Sequence, residues 1–272
     1  MKSKGPIAIQ TGVILLVGAL TLLGAAQVYA GTLEAMKERG TLMVGVREDF
    51  PPLAYRDGTG KPTGFEVDLA RYLAQQLLGD EGKLKLVPVD AGNRLTAILS
   101  GSADLLIAAV SATEDRAAVF TLSDPYFASG TLLLVPRGSA IQDVLEVKGK
   151  RVAVVEGSIQ EGGVTLVRWL APEATRVKFR SVPAAVAALR AGEVDAFAED
   201  DVLVLALAKQ YPDLVAVGKP FRPQPYAIAM RKGEGELCAW VNEQLQKAKA
   251  DGTYDTLWKT YFGDTGVPLL RP

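Results

Sequence analysis

The stretch ILSGSADL, at residues 98–105, ends an apolar helix, turns at a glycine and starts an apolar strand. The stretch ALRAGEVDA, at residues 188–196, repeats the same order. A glycine just past the last apolar turn is typical of a helix C-cap, so each stretch is interpreted as a helix end, a cap and a strand start. Because both lie at the same place in a strand–helix–strand unit, they predict two similar α/β lobes.

Apolar runs and turn residues around these stretches place the other elements. The second unit is predicted as a strand over Arg151–Val155, a turn at residues 156–158 and a helix over residues 160–170. Alternating strands and helices are typical of open, mostly parallel sheets, whose ligands lie beyond the strand C-termini. Two such lobes facing each other define a cleft. The first unit is predicted as a strand at residues 42–46, a helix over Phe65–Leu78, a strand over Leu84–Val89, a helix over Arg94–Leu99 and a strand over residues 103–110.

Residues 1–30 have the three parts of a secretory signal peptide. Lys2 and Lys4 precede an uncharged, apolar stretch, and the residues at positions 28 and 30 suit cleavage. We therefore expect a mature chain that starts near Gly31 and is located in the periplasm. An uncleaved membrane anchor is the alternative, because residues 7–30 could just span a bilayer. The glycine, glutamine and threonine content of the stretch favours cleavage.

The composition argues against several function classes. The 30 basic and 31 acidic residues become 28 and 31 after cleavage, a net charge of −3, and nothing indicates nucleic-acid binding. The chain has no histidine and one cysteine, Cys238, which leaves few ligands for a transition metal and no His-based triad. We expect no metal, no cofactor and no catalytic residue, and a fold that depends on its apolar core.

Seven stretches in the same order give a family resemblance that covers essentially the whole mature sequence. The chain resembles the polar amino-acid-binding proteins of ABC importers, solute-binding protein family 3, and in pattern most of all the glutamate/aspartate-binding members. The stretches are GTLMVGV (40–46), FPPLAY (50–55), GFEVDL (64–69), SATEDR (111–116), FTLSDPY (120–126), VDA (194–196), and DGTY (251–254) before YFG (261–263).

The resemblance implies an α/β fold with two lobes, the type II periplasmic binding protein fold. The first lobe would comprise residues 31–135 plus 225–272, and the second residues 136–224. Two strands would cross between the lobes at residues 132–136 and 225–230 and act as a hinge. The implied partners are a small amino-acid ligand and a membrane-embedded ABC permease, and we expect a monomer.

Arg116 is the strongest candidate for binding a ligand carboxylate. A permanently charged guanidinium can hold a carboxylate through two parallel hydrogen bonds, although most arginines at helix starts are solvated. Ser111 and Thr113 lie between the strand end and Arg116, where hydroxyl and amide groups could complete an anion site. In the resembling proteins this stretch binds the α-carboxylate of the ligand.

The second lobe is expected to contribute Gly157, Ser158 and Asp200. Gly157 and Ser158 follow a strand and could offer amide donors to the same carboxylate, or could form an ordinary tight turn. Asp200 is expected to accept hydrogen bonds from the α-ammonium group. The family spacing from residues 194–196 selects Asp200, whereas a solvated acidic cluster of residues 199–201 at a helix start is the alternative.

Selectivity for the ligand side chain is expected to come from the first loop. Arg47 directly follows the first strand, and a cation there would favour an acidic ligand. The alternative is that Arg47 pairs with Glu48 or Asp49 and never faces the pocket. By the resemblance, Phe50 and Phe65 would form walls of the pocket, although a phenylalanine on a helix face is more often a core residue.

Other functions stay open at this level. Cyclohexadienyl or prephenate dehydratases share the fold and the export route, and Glu156 or Glu199 near the predicted cleft could serve as a general acid. The pairing of Arg116 with Asp200 suits an amino acid better than a prephenate-like dianion, so we expect a binding protein and no enzyme. A binder of glutamine or of basic amino acids is a further alternative. The sensing domain of a receptor would need a membrane-spanning continuation after Pro272.

Overall fold

The structure, a computed structural model, describes residues 33–161 and 174–263. The strands are β1 (Leu42–Arg47), β2 (Asp49–Phe50), β3 (Ala54–Arg56), β4 (Pro62–Thr63), β5 (Leu84–Val89), β6 (Leu105–Leu106), β7 (Phe120–Pro136), β8 (Arg151–Val155), β9 (Thr175–Phe179), β10 (Ala196–Asp200) and β11 (Leu214–Arg231). The helices are α1 (Leu33–Arg39), α2 (Phe65–Leu78), α3 (Arg94–Leu99), α4 (Glu114–Val119), α5 (Val182–Arg190), α6 (Asp201–Gln210), α7 (Gly235–Ala250) and α8 (Thr253–Phe262). Among these described residues, none of the helices has both the length and the apolar composition of a membrane span.

The first lobe is built on three parallel strands, β5, β1 and β6, with β11 antiparallel beside β6. The helices predicted over Phe65–Leu78 and Arg94–Leu99 and the strand predicted over Leu84–Val89 are confirmed with the same bounds. The apolar stripe of α2 faces the core, where Leu69 and Leu73 are fully buried. Burial of each such leucine stabilises the fold by about 1.5–3 kcal/mol.

The strand predicted over residues 103–110 is shorter than expected, because only Leu105–Leu106 form β6. Ala109 has a φ of 51°. Its N–H donates to the Glu66 carboxylate at 2.8 Å, and its carbonyl accepts from the Arg94 guanidinium at 2.9 Å. Side chains therefore satisfy backbone groups that a regular strand would pair with its neighbour.

The second lobe repeats the plan of the first. Strands β9, β8 and β10 are parallel, and β7 lies antiparallel beside β10. The two repeated stretches are confirmed as helix, cap and strand, since Gly101 and Gly192 both have a φ of 73°. The strand predicted over Arg151–Val155 is confirmed. The helix predicted over residues 160–170 begins within a turn and otherwise lies outside the described residues.

Two long strands, β7 and β11, pair with each other in the middle of the sheet and connect the lobes. At its C-terminal part β7 pairs with β10 of the second lobe, whereas β11 pairs with β6 of the first lobe at Ala229. The register of β11 against β7 shifts between Val217 and Gln224, and Arg222 there has a φ of 50°. The crossing strands are confirmed. The irregular pairing begins before the predicted crossing at residues 225–230 and continues into it, with further register shifts between Tyr226 and Ala229.

Candidate functional site

Five charged side chains meet where the carboxyl ends of strands from both lobes face each other. Arg47 ends β1 and Asp200 ends β10, and electrostatic interaction links Asp200 to all three arginines of the group. Four of the five are 5% exposed or less, so their charges act in a medium where Coulomb interactions are stronger than in water. We call this group the interlobe cluster; its members are Arg47, Arg94, Arg116, Glu199 and Asp200.

Arg116 lies in the first lobe and reaches across to the second. Its Nη1 donates to the Ser111 carbonyl at 3.0 Å, and its Nη2 donates to the Gly157 carbonyl at 3.4 Å. The Thr113 hydroxyl accepts from the Arg116 backbone N–H at 3.3 Å and caps α4. A cavity of about 640 Å³ opens beside this group and is lined by Thr113, Arg116, Thr131 and Ser158. Residues predicted to bind the carboxylate from the two lobes therefore share one cavity wall.

Asp200 is the acid of the 199–201 run whose two carboxylate oxygens both accept hydrogen bonds from other side chains. Its Oδ1 accepts from the Gln160 amide at 2.9 Å, and its Oδ2 accepts from the Tyr226 hydroxyl. Burial raises the pKa of Asp200, and hydrogen bonds from Tyr226 and Gln160 oppose that rise. Asp201 points elsewhere, since its carboxylate accepts from the Ser129 hydroxyl and the Val202 N–H. Each oxygen of Asp200 retains a lone pair for a further donor.

Arg47 pairs with a neighbouring acid and also keeps a donor for the cleft, so both alternatives from the sequence apply to it. Its Nε donates to Asp49 at 2.9 Å, so the expected pairing with a neighbouring acid exists. The guanidinium also lies over the Phe50 ring, 4.3 Å from the centroid, in a cation–π contact. Its Nη2 is buried and has no hydrogen-bond partner among the described residues. Arg47 thus retains a donor that no group in residues 33–161 or 174–263 uses.

Arg94 was not singled out from the sequence, yet it is 3% exposed and part of the cluster. Its guanidinium donates to the carbonyls of Ala108 and Ala109 and, at 3.3 Å, to the Gly157 carbonyl of the second lobe. Its Nε has no partner within the described part of the chain. Burial, together with Arg116 and Arg47, lowers the pKa of Arg94 to about 9. Its place at a helix start beyond β5, at the same sheet edge as Arg47, is the signal that could have identified it.

Glu199 is the second acid of the cluster and is 1% exposed. Its Oε1 accepts from the Asp200 N–H at 3.2 Å, whereas its buried Oε2 has no partner among the described residues. Burial and the neighbouring Asp200 raise the pKa of Glu199 to about 8, and Arg47 opposes this rise. Glu199 is therefore a carboxyl whose charge state depends on what else the cleft contains.

The amide-donor role expected for Gly157 and Ser158 is corrected by the structure. The Gly157 N–H donates to the Glu161 carboxylate at 2.6 Å, and the Ser158 N–H donates to the Val155 carbonyl at 3.1 Å. Both amides are occupied within the second lobe. What Gly157 offers the cleft is its carbonyl, which accepts from Arg94 and Arg116. Ser158 lines the cavity beside Arg116.

The expectation that Phe65 forms a wall of the pocket is also corrected. Phe65 is fully buried at the start of α2, and its ring lies 5.3–6.4 Å, centroid to centroid, from five other aromatic rings. Protein atoms surround the ring, so it is a core residue of the first lobe. Phe50, in contrast, lies beneath the Arg47 guanidinium. The rings around Phe65 are those of Tyr126, Phe127, Tyr254, Trp258 and Phe262.

This placement predicts a purely structural effect for Phe65→Leu. We expect the substitution to lower the free energy of unfolding by about 1–2 kcal/mol, because it removes aromatic contacts and leaves a small cavity. Ligand affinity should not change. Urea unfolding and ligand titration of the same preparation check both statements, and a large loss of affinity at unchanged stability would restore the pocket role.

Comparison with known proteins agrees with the architecture. Residues 42–264 match the bacterial extracellular solute-binding proteins, family 3. A glutamine-binding protein of an ABC transporter in Bacillus subtilis is 34% identical over 232 residues, 85% of this chain and 84% of that protein. The L-cystine-binding protein of Escherichia coli K12 is 35% identical over 239 residues, which are 86% of this chain and 86% of that protein.

The fold agreement extends to solved structures. The crystal structure of an ancestral amino-acid-binding protein, a precursor of cyclohexadienyl dehydratase, is 33% identical with a TM-score of 0.76, covering 85% of this chain and 99% of that one. The two lobes, the mixed α/β sheet and the crossing strands are those of the type II periplasmic binding protein fold. With the match over residues 42–264, they show that this chain belongs to family 3 of the bacterial extracellular solute-binding proteins.

Proposed function

We propose that the chain is the amino-acid-binding component of an ABC importer and that it closes its lobes around glutamate or aspartate. The observation that carries the proposal is the convergence of Arg47, Arg94 and Arg116 with Asp200 between the lobes. Relatives named for glutamine and cystine support an amino-acid ligand, and neither name includes an acidic one. The preference for an acidic amino acid rests on the arginines.

The α-amino and α-carboxyl groups of the ligand each need a buried partner of opposite charge, because desolvation of a lone charge is costly. Arg116 of the first lobe would hold the carboxylate, assisted by Ser111 and Thr113 of the same lobe and by the hydroxyl of Ser158, whose amide is occupied. Asp200 of the second lobe would accept from the ammonium. A ligand that contacts both lobes stabilises the closed form by its differential affinity for that form.

Two unused donors support an acidic side chain. Arg47 Nη2 and Arg94 Nε are buried without hydrogen-bond partners among the described residues. A carboxylate at the far end of the ligand would supply an acceptor to both, and charge-assisted hydrogen bonds of this kind are about twice as strong as neutral ones. An unpaired buried donor costs about 1–3 kcal/mol, which such a ligand would remove.

The remaining parts of the proposal concern location and partners. Residues 1–30 would be removed on export, and the closed periplasmic protein would deliver its ligand to a membrane permease. Residues 31–135 with 225–272 would form the first lobe and residues 136–224 the second. The irregular pairing of β7 with β11 suits a hinge there, since a few residues near Arg222 could absorb the backbone rotation.

Thermal unfolding of the mature protein against each proteinogenic amino acid and prephenate tests the function. At a ligand concentration about 100 times Kd, the folded state gains about 2.7 kcal/mol, so we expect glutamate or aspartate to raise Tm by roughly 5–10 °C. A rise in Tm with glutamine or arginine alone would support an amino-acid-binding protein and contradict an acidic ligand. Turnover of prephenate, with no amino acid shifting Tm, would make the protein an enzyme.

The substitution Arg47→Gln tests the selectivity argument. Loss of one charge-assisted hydrogen bond, about 1.5–3 kcal/mol, should weaken glutamate binding roughly 10- to 100-fold and leave glutamine binding nearly unchanged. Isothermal titration with both ligands measures the ratio. Arg56→Gln is the matched control, since Arg56 is exposed and pairs with Glu48 in the same loop region. Equal losses for both ligands would contradict a selective role.

A further inference from the structure

Glu199 has a feature that amino-acid binding by Arg116 and Asp200 leaves unexplained. Its side chain is 1% exposed, and one carboxyl oxygen, Oε2, lacks a partner among the described residues. A buried ionised carboxylate with an empty acceptor is costly. Oε2 therefore has an unused acceptor site or, when Glu199 is protonated, an unused donor.

The charged groups around Glu199 come from both lobes. Arg47 of β1 and Arg94 of α3 face it from the first lobe, and Asp200 follows it on β10. The Arg47 guanidinium donates a hydrogen bond to Asp49. Glu66 of α2 interacts electrostatically with both Arg47 and Arg94. The remaining charges near the end of β10 are Asp201, bonded to Ser129 of β7, and Arg116, which interacts with Asp200.

We propose that Glu199 takes up a proton when the cleft closes on an acidic amino acid, so that capture of the anionic ligand is proton-coupled. The inference rests on the proposed function. The side-chain carboxylate of the ligand and the carboxylate of Glu199 would compete for Arg47 and Arg94, and two neighbouring carboxylates in a closed site do not both stay ionised. Once protonated, Glu199 can donate from Oε2 to the ligand carboxylate, which gives that oxygen a partner.

The pH dependence follows with a definite sign. Burial and Asp200 already raise the pKa of Glu199 to about 8 in this structure, in which Arg94 and Arg116 contact Gly157 across the cleft, and a bound anion raises it further. In an open cleft water solvates the carboxylate, so the pKa is lower there. Binding therefore takes up a proton near neutral pH. The affinity for glutamate is greatest below the pKa that Glu199 has in the open form. It falls as the pH rises from there through 8, by at most about tenfold per pH unit, because one proton is taken up.

Proton uptake can be measured directly by titrating the mature protein with glutamate in buffers of different ionisation enthalpy, from about pH 6 to about pH 8, a range in which Arg94 stays charged. We expect a net uptake that approaches one proton per glutamate across this range. Closure on glutamine also buries Glu199, so glutamine should cause uptake near pH 6, but this uptake should fall to about half a proton as the pH approaches 8, because no ligand anion raises the pKa of Glu199 further. Glu199→Gln should bind glutamate without proton uptake and with an affinity that stays constant across this range. Glu156→Gln, a change at the acid directly after β8 in the second lobe, should leave the uptake intact.

The outcomes separate this inference from the proposed function. Glutamate binding without proton uptake, or uptake that persists in Glu199→Gln, overturns the role of Glu199 and leaves the acidic-ligand proposal standing. Binding of glutamine but not glutamate overturns both. Because uptake by the natural protein is itself decisive, the test does not depend on the variant folding.

Discussion

Replacement of Arg116 by alanine is expected to weaken binding of every amino-acid ligand by at least about 100-fold. The guanidinium would hold the α-carboxylate, a group that all amino acids share, so the loss should not depend on the ligand side chain. Removing one partner of a buried, hydrogen-bonded charge pair costs about 2–5 kcal/mol, because the other charge stays buried and unpaired. Arg116 also donates to Gly157 across the cleft, so the closed form itself loses a contact.

Titration calorimetry with glutamate and glutamine checks this prediction, with Arg56→Ala as the control for removal of an arginine from the first lobe. Circular dichroism should show an unchanged fold, because α4 keeps its Thr113 cap in the variant. Retention of affinity within a few-fold would end the assignment of the α-carboxylate to Arg116. A loss confined to acidic ligands would instead move Arg116 to the side-chain end of the pocket.

The sequence was sufficient for those parts of the fold that local patterns determine. Helix α2 begins and ends where its apolar period does, and Gly79, with a φ of 70°, closes it. The repeated caps at Gly101 and Gly192 predicted the two lobes for the same reason. The early end of β6 could not be predicted, because it depends on Glu66 and Arg94, which approach Ala109 only in the folded protein.

The candidate site likewise contains residues that the sequence could indicate and residues that only the folded structure shows. Arg47 could be selected because it ends the first strand, whereas Arg116 and Asp200 are selected by the family resemblance, and the structure brings the three together. Phe65 could not be assigned correctly, since the period of a helix face does not say which side chains or ligand it faces. Arg94 looks like any solvated arginine in the sequence, and only tertiary packing buries it.

Gly157 lies where backbone of the second lobe comes close to backbone of the first, and Gly157→Ala is expected to prevent closure. An added Cβ would lie 2.2 Å from the Ala91 carbonyl oxygen and 2.8 Å from the Gly92 Cα, both in the first lobe. Neither neighbour is a flexible side chain that could turn away. The sequence could not reveal this contact, because it joins residues of opposite lobes.

Because ligand affinity depends on the closed form, we expect Gly157→Ala to weaken glutamate binding at least about 100-fold, since a shift from mostly closed to mostly open removes several kcal/mol of binding free energy. Small-angle scattering should show no contraction on addition of saturating glutamate. Gly192→Ala is the matched control: its φ of 73° resembles the 76° of Gly157, but an added Cβ meets nothing within 4 Å. Both variants should lose about 1 kcal/mol of stability from the left-handed backbone, and only Gly157→Ala should lose binding. If both variants bind glutamate equally well, the lobes do not close to the separation seen here.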